Sequence, residues 1–174
     1  MSKWSDVELH GYVSAAERGG VADQMWLGWA YWEGKFIAPD LALASRWLES
    51  ATAGGDPEAS YRFASFLHAM GQVERVLDLL RDAADKGFPP AAYALGGHYR
   101  AGRITPRDMD QAIAAWRRAV ALGHIPAEAQ LVRARIQAVS LIHRPLVWLR
   151  LVPISLRAVQ CFWRDPNDPR VLGA

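Results

Sequence analysis

The sequence predicts an all-α fold built as an array of short helical repeats, and three observations predict it. The segment LGWAYWEG at residues 27–34 returns as LGGHYRAG at 95–102, with a degraded copy, FASFLHAM, at 63–70. A motif recurring on a fixed beat marks a repeat architecture. Gly19, Gly55, Gly87 and Gly123 keep the same beat, at intervals of 36, 32 and 36 residues, each eight residues before Leu27, Phe63, Leu95 and Leu131. Finally, 51% of the residues are apolar, Ala-, Leu- and Arg-rich stretches dominate, and strict alternation of Val, Ile and Thr is scarce. That composition favours helices with enough apolar surface for a continuous core.

Residues 5–18 come first. The run GYVSAAERG at 11–19 matches ESATAGG at 49–55 and RDAADKG at 81–87, so this stretch reads as the second helix of an incomplete repeat. The first full unit runs from Ala22 to Gly55. Leu27, Gly28 and Tyr31 fall along one face of its helix A, where the missing side chain of Gly28 lets a neighbouring helix approach closely. Gly34 ends that helix, and Asp40, after Pro39, caps the next. Helix B then carries Ala42, Leu43, Trp47, Leu48 and Ala51 at helical spacing until Gly54 and Gly55 stop it.

The second unit is shorter by about four residues between its helices, as the 32-residue interval shows. Phe63, Ala64 and Leu67 supply its first apolar face, and Val76, Leu77, Leu80 and Ala83 its second. The third unit restores the full pattern with Leu95, Gly96, Tyr99 and Gly102, a loop with Pro106 and Asp108, and Ala112, Ile113, Trp116 and Ala119 on helix B. Residues 127–139 read as a last, unpaired helix A, the atypical end unit that a repeat array needs to cover its open face.

The pattern A-x-x-x-L-G-x-x-Y-x-x-G, then D-x-x-x-A, then A-A-x-x-G resembles the Sel1-like repeat, a relative of the tetratricopeptide repeat, over residues 5–135. The chain departs from it at Phe36 and Ile104, which stand where the repeat has a second loop glycine, and in the second unit, which lacks the Tyr. The resemblance implies a right-handed αα superhelix, a solenoid, over residues 1–140. It implies use as a protein-interaction scaffold, often in bacterial signalling or assembly, and no catalytic residues.

The residues themselves agree that chemistry is not the purpose. The histidines His10, His68, His98, His124 and His143 show no metal-ligand spacing, so no metal is expected. Cys161 stands alone in an apolar tail and no G-x-S-x-G occurs, so no nucleophile, no catalytic set and no cofactor are expected. The single cysteine suits a reducing compartment, and MSKWSDVELHG has no apolar signal core, so a cytoplasmic location is expected. A formal charge of +2 does not call for nucleic acid.

The aromatic residues say more. At 100° per residue, Trp29 lies about 160° from Tyr31 around helix A, and Trp26 lies off the core face on the side away from Gly28. Sister repeats place Arg62 and Ser65, or Ala94 and Gly97, at these positions. Trp26 and Trp29 therefore either pack on the N-terminal helix and Trp4 or anchor a partner along the A-helix surface, where tryptophans dominate binding energy. That surface includes Arg62, Ser65, His68 and His98, the two histidines standing in corresponding A helices. Trp47 and Trp116 read as core.

The C-terminal quarter departs from the repeat altogether. Residues 129–164 hold no Asp or Glu but six arginines, Arg133, Arg135, Arg144, Arg150, Arg157 and Arg164. Arginines interrupt every stretch long enough to span a bilayer. Residues 141–164 instead predict a basic amphipathic helical extension beginning near Pro145, and 165–174 an extended tail. Through Arg144, Trp148, Arg150, Arg157, Trp163 and Arg164 the extension caps the solenoid, lies on an anionic membrane, or docks on a protein partner or the mate in a homodimer. The sequence thus supports a cytoplasmic adaptor. A factor peripheral to the inner face of the membrane and a subunit of an enzyme complex are its rivals.

Overall fold

The computed structural model describes residues 4–138, all eight of whose regular elements are α-helices. The extension predicted at 141–164, with Arg144, Trp148, Arg150, Arg157, Trp163 and Arg164, and the tail at 165–174 lie outside the described residues. The chain divides into two compact units, Met1–Ala83 and Ala84–Ala174.

The first unit opens with α1 (Asp6–Glu17), the predicted incomplete repeat. Ser5 caps it reciprocally: the Ser5 hydroxyl accepts from the Glu8 N–H at 3.3 Å, and the Glu8 carboxylate accepts from the Ser5 N–H at 2.8 Å. Next come α2 (Val21–Glu33) and α3 (Leu41–Ala53), the two helices of the first full repeat, and α4 (Pro57–Ala69). Buried Gln24 donates from Nε2 to the Ala16 carbonyl at 2.9 Å, tying α2 to α1. A buried group left without that bond would cost about 1–3 kcal/mol, so the tie fixes where α1 sits. The core holds Ala16, Leu27 and Trp47, with Leu9, Val13, Tyr31 and Leu43 packed around them.

Gly28 has the expected reason to be glycine: a Cβ there would come within 2.6 Å of Leu48 Cγ on α3. On the inner face of α3, Ala44, Trp47, Leu48 and Ala51 are buried, whereas Ala42, expected there, is exposed. Asp40 occupies the cap, its carboxylate accepting from the N–H groups of Ala42 and Leu43, and Ala42 faces solvent because it lies about 160° around the helix from Ala44.

Helix α5 (Val76–Asp85) begins in the first unit, where the buried Ser60 hydroxyl of α4 donates to the Asp82 carboxylate at 3.2 Å. The second unit contains α6 (Pro89–Ala101), α7 (Met109–Ala121) and α8 (Ile125–Ala138). Its loop closes with the same backbone bond as that of the first unit. The Asp108 N–H donates to the Tyr99 carbonyl at 2.9 Å, as the Asp40 N–H donates to the Tyr31 carbonyl at 3.0 Å. Gly34 and Gly102 end α2 and α6 with φ of 65° and 68°, the left-handed conformation that relieves a helix C-terminus.

Gly96 is the counterpart of Gly28, but Trp116 stands where Leu48 stood, and a Cβ on Gly96 would lie inside the indole ring. The neighbouring Gly97 has open space at its Cβ position. Gly96→Ala is therefore expected to destabilise the second unit by about 1–3 kcal/mol through overpacking. Gly97→Ala, one residue away, should stabilise it by up to about 1 kcal/mol through helix propensity. Urea unfolding of both variants reads the two signs, and equal signs would refute the packing assignment.

Tyr31 allows a test of the loop by pH. Burial, and secondarily the Asp40 carboxylate, raises its hydroxyl above the ordinary tyrosine value. The unfolded chain loses this proton first as pH rises, so the contribution is intact below about pH 10 and disappears above it. Urea midpoints of the wild type should fall more steeply between about pH 9 and pH 11 than those of Tyr31→Phe.

Candidate interaction surface

Helix α2 has a second apolar stripe besides its core face. Ala22, Met25, Trp29 and Trp32 recur at intervals of three and four residues, with Trp26 beside them. Opposite it, α4 presents Glu58, Tyr61, Arg62 and Ser65 at the same kind of spacing. Between the stripes lie two depressions. One, of about 240 Å³, is lined by Ala22, Met25, Trp26, Trp29, Glu58 and Arg62. The other, of about 120 Å³, is lined by Trp29, Trp32, Leu48, Tyr61, Arg62 and Ser65. Trp29 and Arg62 belong to both, so the two form one groove along the A helices of the first unit.

The groove's tryptophans are held by a cluster that reaches back to the start of the chain. Trp29 stacks on Trp26 with centroids 4.7 Å apart, and Trp26 meets Trp4 at 5.8 Å. Phe36 stacks on Trp4 at 5.4 Å and touches both α2 tryptophans. The Trp4 N–H donates to the Phe36 carbonyl at 2.9 Å, which closes the ring of contacts. Trp26 and Trp29 are both only half-buried. Trp26 packs on Trp4, as the packing reading expects, and Trp29 uses Trp26 as a backing while facing the groove.

Charge at the groove is paired. Arg62 binds Glu58 Oε1 through Nε at 2.8 Å and through its terminal nitrogen at 2.6 Å. Lys35 pairs with Glu33 at 3.3 Å, and its ammonium stands 5.1 Å from the centre of the Trp29 ring. These are exposed pairs that hold side chains in place more than they stabilise the fold. Ser65 donates to the Tyr61 carbonyl at 3.0 Å within its own helix. The result is an apolar floor with fixed polar edges.

Of the residues expected on this surface, Trp26, Trp29, Arg62 and Ser65 come together. His68 is exposed in the last turn of α4 and lines neither depression. His98 is half-buried in the last turn of α6, in the second unit. The groove also takes in Met25, Trp32, Glu58 and Tyr61, beyond the residues expected there; the spacings 22, 25, 29, 32 on α2 and 58, 61, 62, 65 on α4 carry their signal. Among the described residues no group of three or more His, Cys, Asp or Glu side chains could hold a metal ion. No described helix is long and apolar enough to cross a membrane.

No family model matches the chain, and no curated protein matches it. Solved structures do. A protective antigen present in uropathogenic Escherichia coli strains and displaying the Sel1-like repeat fold superposes with a TM-score of 0.67 at 24% identity, over 75% of this chain. The fold is that of the Sel1-like repeat proteins. A Sel1 repeat protein from Oxalobacter formigenes gives a TM-score of 0.64, also at 24% identity, over 71% of this chain. The chain spans 29% of the first relative and 52% of the second. Within the Sel1-like pattern, Trp26, Trp29 and Phe36 are additions of this chain's first repeat, since its third repeat carries Ala94, Gly97 and Ile104 instead.

Proposed function

We propose that the protein is a non-catalytic protein-interaction scaffold whose A-helix groove on the first unit receives a segment of a partner protein. The observation that carries this reading is the groove at Trp29 and Arg62. A half-exposed tryptophan, backed by Trp26 and flanked by an ion-paired arginine, combines the two residue types that most often dominate binding energy at interfaces. The repeat does not require Trp29 at its position, so its presence beside the groove fits recognition. The general use of Sel1-like repeats as scaffolds supports this reading.

The test is capture of partners from native host extract by the full chain, with wild type, Trp29→Ala and His10→Ala compared side by side. His10 is exposed on α1 and serves as the surface control. A partner retained by wild type and His10→Ala but lost by folded Trp29→Ala supports the groove. A partner retained by all three would refute it.

A further inference from the structure

The two units carry opposite charge. Residues 1–83 hold twelve Asp and Glu against seven Lys and Arg, while residues 84–174 hold six against thirteen. The groove belongs to the acidic unit, and the most basic stretch of the chain is the acid-free one at its other end. We propose that the groove between α2 and α4 receives several consecutive residues from within 146–164 of a second copy of this chain. The proposal rests on the reading of this groove as a protein-docking site and names its occupant.

Three features of the groove fit that occupant. Its floor is Ala22, Met25, Trp26 and Trp29, and its larger depression, about 240 Å³, has room for one large apolar side chain. Along α2, from Ala22 to Trp32, it extends about 15 Å at 1.5 Å per residue, enough for several consecutive residues of a docked chain. Its edge offers carboxylate to an incoming cation. Both Arg62 contacts land on Glu58 Oε1, so Oε2 can accept from a second guanidinium.

The occupant has the complementary chemistry. LVWLRLVPISLRAVQCFWR contains apolar side chains, two tryptophans, Arg150, Arg157 and Arg164, and no acid to be repelled by the first unit. An acidic unit and a basic apolar segment attract each other over long range and disfavour acidic competitors. Every copy carries both halves of the contact, so two copies can satisfy each other in a closed, reciprocal pair.

The oligomeric state of the full chain tests this. Wild type, Trp29→Ala and the double variant Arg150→Glu/Arg157→Glu are examined by sedimentation velocity at about 50 mM and about 500 mM salt, across which screening shortens severalfold in range. The expected result is a wild-type dimer at low salt whose association weakens at least tenfold at high salt. Both variants should be monomeric at low salt, with circular dichroism confirming that they remain helical. Trp29→Phe, which keeps an aromatic ring in the groove, should retain most of the dimer.

A monomeric wild type at low salt overturns the proposal, whether the segment is bound within its own chain or to something else. A dimer that Trp29→Ala leaves intact overturns it too, since the groove would then not be the contact. Phosphatidylserine vesicles supply the remaining arm. A monomeric protein that sediments with them, and ceases to when Arg150 and Arg157 are reversed, assigns the segment to a lipid surface instead. If the chain is monomeric yet Trp29→Ala still loses a captured host protein, the occupant named here is wrong while the docking groove stands.

Discussion

Replacing Trp116 by alanine is expected to cost the second unit about 3–5 kcal/mol, the range for deleting a large buried aromatic. Trp116 is 2% exposed, lies against the backbone of Gly96, and donates from Nε1 to the Tyr93 carbonyl at 3.3 Å. Removing it leaves a cavity that α6 and α7 cannot close, because the groove at Gly96 is shaped to an indole ring. Loss of this size approaches the whole stability of a small domain, about 5–15 kcal/mol. Urea unfolding should therefore show either a large fall in midpoint or a separate early transition confined to the second unit. A fall below about 1 kcal/mol would mean that Trp116 is not the residue that joins α6 to α7.

Trp29→Ala should have its large effect on binding instead. A hot-spot tryptophan contributes at least about 2 kcal/mol, so partner affinity should fall about thirtyfold or more. Its cost in stability should be well below that of Trp116→Ala, because Trp29 is half-buried and its loss opens a groove already in contact with water. Trp26→Ala should fall between the two, since Trp26 both backs Trp29 and packs on Trp4. Calorimetric titration with a captured partner, beside urea unfolding of the same three variants, separates the effects. Equal losses of stability for Trp29→Ala and Trp116→Ala would make Trp29 a core residue.

The contrast between these two tryptophans shows what kind of information a single sequence holds. Trp116 sits at a repeat position, so its periodicity with Ala112 and Ala119 already marks it as core. Trp29 is off the repeat pattern, and periodicity says only that it is absent from the Tyr31 face. Whether such a residue is covered depends on chain segments far away in sequence. Here those are Trp4 and Phe36 on one side and α4 on the other. Phe36 is the sharpest instance: in the sequence it is a missing loop glycine, and in the structure it joins the cluster that supports the groove.

The exposed Ala42 is a case that helical spacing decides. At 100° per residue it lies about 160° from Ala44, whereas Ala44, Trp47, Leu48 and Ala51 share one face, and Ala44 is the residue that corresponds to buried Ala112 in the third repeat.

By itself the sequence determined the repeat beat, most helix ends and, apart from Ala42, the core faces of the three full repeats. These are set within a few residues: a glycine reaches positive φ without strain, an aspartate caps the N–H groups just beyond it, and apolar residues three and four apart share a face. Only the tertiary structure decided which second faces remain open. The gap between α2 and α4, the backing of Trp29 by Trp26, and the fit of Trp116 against Gly96 arise from helices meeting across long stretches of chain, where packing selects among faces that local chemistry leaves equivalent.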